Sequence, residues 1–87
     1  MEVKPIPENV LEAARKWFRN WGSEIMYYAG EEDGLYYFNG EKFDMSGKRG
    51  FGTPVSVTED GVVEFIRDGR RYQVYKFASE LNLSYEL

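Results

Sequence analysis

The sequence predicts an α+β fold: an N-terminal amphipathic helix packed on a curled antiparallel meander sheet of five to six strands. Three observations carry this. Apolar residues follow helical spacing over the first segment of the chain. From Ser23 onward, short runs rich in Val, Ile, Tyr and Phe alternate with Gly, Asn, Asp and Pro, the pattern of strands and turns. All connections except the 44–53 loop are short, which favours antiparallel neighbours. A helical segment followed by a run of strands is the α+β order, and 87 residues make one domain, 1–87.

The helix is expected over residues 7–21. Val10, Leu11, Ala14, Trp17, Phe18 and Trp21 form one stripe when each residue turns by about 100°. Glu8, Glu12, Arg15, Lys16 and Arg19 lie on the other side. Pro7 suits the first helical position and Gly22 the residue just past the end. No Ser, Thr, Asp or Asn stands immediately before Pro7, so the N-terminal cap is weak. The stripe, with two Trp and a Phe, is expected to dock on the sheet.

Strands are expected over 24–29, 34–38, 41–45, 54–58, 62–67 and 70–77. Asn39-Gly40 reads as a two-residue hairpin turn, with Tyr36, Phe38 and Phe43 then sharing the core face. Asp68-Gly69 reads the same way and pairs Phe65 with Tyr72 and Val63 with Val74. For Glu59-Asp60-Gly61, a three-residue loop with Gly61 left-handed aligns Val57 with Val63 and Val55 with Phe65, keeping one face apolar. Leu81, Leu83, Tyr85 and Leu87 alternate, which suggests a short final strand or an edge-covering tail. In element order this plan resembles the helix-grip and cystatin-like folds, an analogy of architecture that implies no function.

Composition narrows the chemistry. The chain has no His and no Cys, yet 17% of its residues are aromatic. Imidazole bases, thiolate nucleophiles, disulfides and His- or Cys-ligated metals are therefore absent. The remaining acids and bases are carboxylates and tyrosines, and they form no catalytic constellation in the sequence. The chain is read as a non-enzyme without cofactor or metal. Glu31-Glu32-Asp33 has no EF-hand spacing and reads as a solvated turn tip between Gly30 and Gly34. A net charge of -4 argues against a nucleic-acid or membrane partner held by bulk charge. No apolar run approaches the roughly 20 residues that span a bilayer. The N-terminal stretch lacks the basic-then-apolar pattern of a signal peptide, so a cytoplasmic protein is expected.

Two segments are candidates for binding. The 44–53 segment holds three glycines with Lys48, Arg49 and Phe51. Lys48-Arg49-Gly50-Phe51-Gly52 resembles the start of the RNP1 signature of RNA recognition motif proteins, whose aromatics stack on bases. The signature's next positions are departed from at Thr53, Pro54 and Ser56, and the family's strand–helix order is absent. The second candidate is the sheet face opposite the helix, where Met26, Tyr28, Leu35, Tyr37, Val62, Ile66 and Tyr75 are expected beside Lys42, Glu64, Arg71 and Gln73. Tyr and Arg are favoured at protein interfaces. The leading expectation is a small non-catalytic protein-binding or accessory/inhibitor domain, self-associating or partner-binding, through Lys48, Arg49, Phe51, Tyr37, Tyr75 and Arg71. The alternative is a single-stranded nucleic-acid binder using the 44–53 loop.

Overall fold

The computed structural model describes residues 2–43 and 45–87, without the side chain of Arg49. The first helix, α1, spans Glu8–Asn20 and needs no side-chain cap at Pro7. Its end is closed by backbone alone. Gly22 (φ 75°) lets the Ser23 N–H reach the Phe18 carbonyl at 2.9 Å and its own N–H reach Arg19 at 3.0 Å. The buried stripe is Val10, Ala14 and Phe18, with Trp17 half-buried and Trp21 at the exposed end.

Six antiparallel strands follow: β1 (Ile25–Glu32), β2 (Leu35–Phe43), β3 (Arg49–Phe51), β4 (Val55–Thr58), β5 (Val63–Phe65) and β6 (Leu83–Glu86). Their order is β5-β4-β2-β1-β6, open at both edges, with β3 also paired to β2. The central strand β2 thus has two partners on one side: β4 along Leu35–Phe38 and β3 along Glu41–Phe43. The three-residue loop at 59–61 is as expected, with Gly61 at φ 83°, Val57 opposite Val63 and Val55 opposite Phe65. The C-terminal alternation is also a strand, β6, paired to β1.

Two expected turns are replaced. Asn39-Gly40 does not turn; it continues β2, opposite Tyr27 and Met26. The β1–β2 hairpin turns instead at Asp33-Gly34, where both residues have positive φ (53° and 79°), as a two-residue turn of this hand requires. Gly40 is needed for another reason. A Cβ there would collide with the Phe18 ring and lie 2.7 Å from Ser23 Oγ, so glycine is what lets α1 seat Phe18 on the sheet. With β2 unbroken, Phe43 falls on the opposite side from Tyr36 and Phe38, where it is 38% exposed.

Asp68-Gly69 opens a second helix, α2 (Arg70–Leu81), in place of the expected strand over 70–77. Asp68 Oδ1 accepts the Arg70 N–H at 2.9 Å and its carbonyl accepts the Arg71 N–H at 3.1 Å, so Asp68 holds the first turn. Val74 and Ala78, four apart, are the buried contacts of the helix. Asn82, left-handed at φ 52°, turns the chain directly into β6.

The second helix covers the face that the sequence left open. One core joins α1 to Met26, Tyr28, Tyr36, Phe38, Val55 and Val57. Another joins α2 to Ala29, Tyr37 and Ile66, with Leu35 and Tyr27 against it. Met26 and Tyr28 therefore face α1, against expectation. A bulge at Ala29, with Gly30 at φ 108°, keeps both faces in phase with their helices. Among the described residues no helix is long and apolar enough to cross a membrane.

Candidate functional site

The α2 face of the sheet changes chemistry along β2. Alternate residues share a face, so Leu35, Tyr37, Asn39 and Glu41 lie in one row. The first two sit under α2, and the row then turns polar. Asn39 is 2% exposed and Glu41 is fully buried. Neither residue type favours a strand interior. Both line a cleft of about 340 Å³ between the sheet and α2.

The floor of this cleft is Tyr27, Asn39 and Glu41. Tyr27, opposite Asn39 in the β1–β2 register, donates its O–H to Glu41 Oε2 at 3.2 Å. One wall is Tyr75, Ala78 and Ser79 of α2, with Asn82 just past its end. The remaining side is Phe51, placed beside Glu41 by the β2–β3 register. Phe51 and Tyr75 meet edge to face, with centroids 6.2 Å apart and planes at 84°. The Tyr75 O–H donates to the Gly52 carbonyl at 2.6 Å, tying the end of β3 to α2. Burial pushes the Tyr75 hydroxyl pKa up, and Arg71 partly opposes that. Asn39 Oδ1 is buried and has no hydrogen-bond partner among the described residues.

A second cleft, of about 390 Å³, opens on the α1 side. Phe18, Trp21 and Phe65 form its apolar part, Lys42 lies at its side, and Phe51 with the Gly50–Thr53 segment closes it. Trp17, Trp21 and Phe65 pack as a ring cluster with centroids 5.0 to 6.1 Å apart. Trp21 is nonetheless 59% exposed and Phe51 52%. Phe51 is common to both clefts.

The residues singled out in the sequence are thus partly brought together. Phe51 and Tyr75 are in contact. Lys48 is exposed in the turn before β3, whose backbone begins at Arg49; Asp44, the first residue of the 44–53 segment, lies outside the described residues. Arg71 lies apart, in a shallow depression with Thr53, Phe65 and Arg67. Tyr37 is no surface residue. It is 1% exposed beneath α2 and accepts a hydrogen bond from Arg70 Nη1 at 2.8 Å, which holds the guanidinium pKa above its ordinary value. The acidic turn carries its own cation. Lys4 Nζ is 2.9 Å from Glu31, and that pairing raises the Lys4 pKa. Among the described residues no three acidic side chains gather as metal ligands.

Asn39 and Glu41 were missed because a turn was read at Asn39-Gly40. Residues 35–38 are all apolar or aromatic and 39–41 are polar or Gly, so no alternation marks the row before β2 is seen to run through. Comparison with protein-family models, with curated proteins and with solved structures finds no match to this chain.

Proposed function

We propose that this chain is a non-catalytic, cytoplasmic domain that binds a protein partner, a second copy or another chain, through the cleft between Trp21 and Phe51. The observation behind this reading is that two large rings, both more than half exposed, rim one apolar cleft. Exposed aromatics around a concave apolar surface are typical of interface centres. Lys48 stands close to Phe51 in sequence, and Arg71 and Arg67 share a shallow depression with Phe65, so cations lie near this surface. The surface differs from the one read in the sequence, because α2 covers Tyr37. Tyr75 lines the other cleft and adjoins this one only through its contact with Phe51.

Sedimentation velocity over a concentration series tests this. Association that disappears in the Trp21→Ser, Phe51→Ser variant, with the far-ultraviolet circular dichroism unchanged, supports the cleft as the contact. A variant that associates as the wild type does removes this face from the reading. A strictly monomeric wild type assigns the cleft to a different chain.

A second reading, single-stranded nucleic acid, is favoured by one observation. Phe51 lies on a strand and is exposed, the presentation that base stacking uses. It requires salt-sensitive binding of a short labelled oligonucleotide that Lys48→Glu with Arg49→Glu abolishes. Lack of binding at low salt eliminates it.

A further inference from the structure

We infer that the partner at the Trp21 cleft is an acidic polypeptide segment, one that sets a large apolar side chain against Trp21 and Phe65 and a carboxylate against Arg67 and Arg71. This rests on the protein-binding reading above and names the chemistry of its partner. Charge placement points to that chemistry. Two depressions adjoin on this side of the molecule and share Thr53 and Phe65. The first is the aromatic cleft, with Lys42 in its lining. The second completes its lining with Arg67 and Arg71. The chain holds 15 acidic residues against 11 basic ones, yet among the described residues no carboxylate lines either depression. Lys42, Arg67 and Arg71 are all exposed, and among the described residues none of them pairs with a carboxylate.

One ring joins the apolar part to the cationic part. Phe65 meets Trp21 edge to face at 5.8 Å, and the Arg67 guanidinium carbon lies 5.5 Å from the Phe65 ring centroid. A guanidinium stacked on a ring keeps its N–H fork for the two oxygens of a carboxylate. An extended peptide advances about 3.3 Å per residue, so near neighbours in one segment reach both parts. The aromatic cleft, about 390 Å³, is at the small end of the roughly 300–1,000 Å³ range of ligand sites and takes side chains, not a folded element. A basic segment would meet three cations. Single-stranded nucleic acid also brings anions and rings, but its phosphates run on past these cations over a chain of net charge -4. A peptide with one or two carboxylates beside its apolar residue ends where the cations end.

Titration of the 15N-labelled full chain tests the pairing. The probes are a five-residue peptide with a central phenylalanine flanked by aspartates, its counterpart with lysines for the aspartates, its counterpart with alanine for the phenylalanine, and a five-nucleotide oligothymidylate. Saturable shifts at the Trp21 indole N–H and at the Thr53, Phe65 and Arg67 amides are expected with the first peptide. The lysine and alanine peptides are expected to bind more weakly by about tenfold, or not at all. Arg67→Glu with Arg71→Glu is expected to weaken the acidic peptide by about tenfold or more, since like charges then face each other. Both side chains are exposed, and an acidic residue suits the first turn of α2, so the fold is kept. Equal binding of the lysine peptide, binding that the double change leaves intact, tighter binding of the oligothymidylate, or no saturable response overturns the inference. Wild-type self-association that persists in the double variant assigns the cleft to a second copy and overturns it too. Equal binding of the lysine peptide at the same amides leaves the Trp21 cleft in place as a protein contact. Loss of the protein-binding reading itself is read separately, from unchanged association in Trp21→Ser, Phe51→Ser.

Discussion

Single atoms decide several features of this molecule. Gly40 is the clearest, because its missing Cβ is the space that Phe18 occupies. The backbone there is not left-handed, so the constraint is steric and not conformational. Gly40→Ala is therefore expected to destabilise by overpacking, about 2 kcal/mol, read as a lower urea midpoint with an unchanged slope. Adding Phe18→Leu to Gly40→Ala should cost less than the sum of the two single changes, because both act on one contact. Strict additivity would show that Gly40 is not where α1 and the sheet meet. Gly22 gives the contrast: a Cβ there meets nothing, and its φ of 75° is the sole reason for glycine.

At the scale of elements, α2 depends on its first turn. That turn carries Arg70 and Arg71 and no acidic residue, an unfavourable arrangement at the positive end of a helix. Asp68 offsets it through its bond to the Arg70 N–H. Asp68→Ala should cost about 1 kcal/mol, with faster amide exchange over 70–74, whereas Asp68→Asn should keep most of the stability. Equal stability of Asp68→Ala and wild type would exclude this capping role. The same residue explains why α2 was illegible in the sequence. Asp-Gly is both a hairpin turn and a helix start, and Tyr72, Val74 and Tyr75 are strand formers by propensity. The spacing of Val74 and Ala78 fits a helix, but it is a sparse pattern. By contrast, α1 was legible because six apolar residues share one stripe, and the 59–61 loop because only one loop length keeps Val55, Val57, Val63 and Phe65 on one face. Between Asp33-Gly34 and Asn39-Gly40 the local turn chemistry is equal. The choice is made by Phe18 packing on Gly40, a contact 22 residues away in the chain that no local pattern reports. The polar cleft was hidden with it, since Asn39 and Glu41 join a face only when β2 runs through.

On the scale of the whole molecule, the fold places one sheet between two helices and closes both faces. The radius of gyration, 11.9 Å, is close to the roughly 12 Å of a compact chain this long. Tyr28 lies at the junction of these layers. It is 1% exposed in the α1 core, packs on Phe38 at 5.3 Å, and donates its O–H to the Lys4 carbonyl at 2.9 Å, tying the N-terminal segment to β1. Burial, opposing a phenolate, pushes its pKa up to about 12 from the ordinary value of 10.0. The folded state therefore keeps this proton where the unfolded chain has lost it. Stability from Tyr28 is fully present below pH 10 and falls as the pH rises through about 12, by roughly 2 kcal/mol. Other tyrosines and lysines titrate in the same window, so the comparison with Tyr28→Phe isolates this group. Urea unfolding across that range should show the wild type losing stability more steeply than Tyr28→Phe, the two curves converging or crossing near the upper end. Parallel curves would mean that the Tyr28 hydroxyl titrates alike in the folded and unfolded chains, and that the layer it joins is open to water.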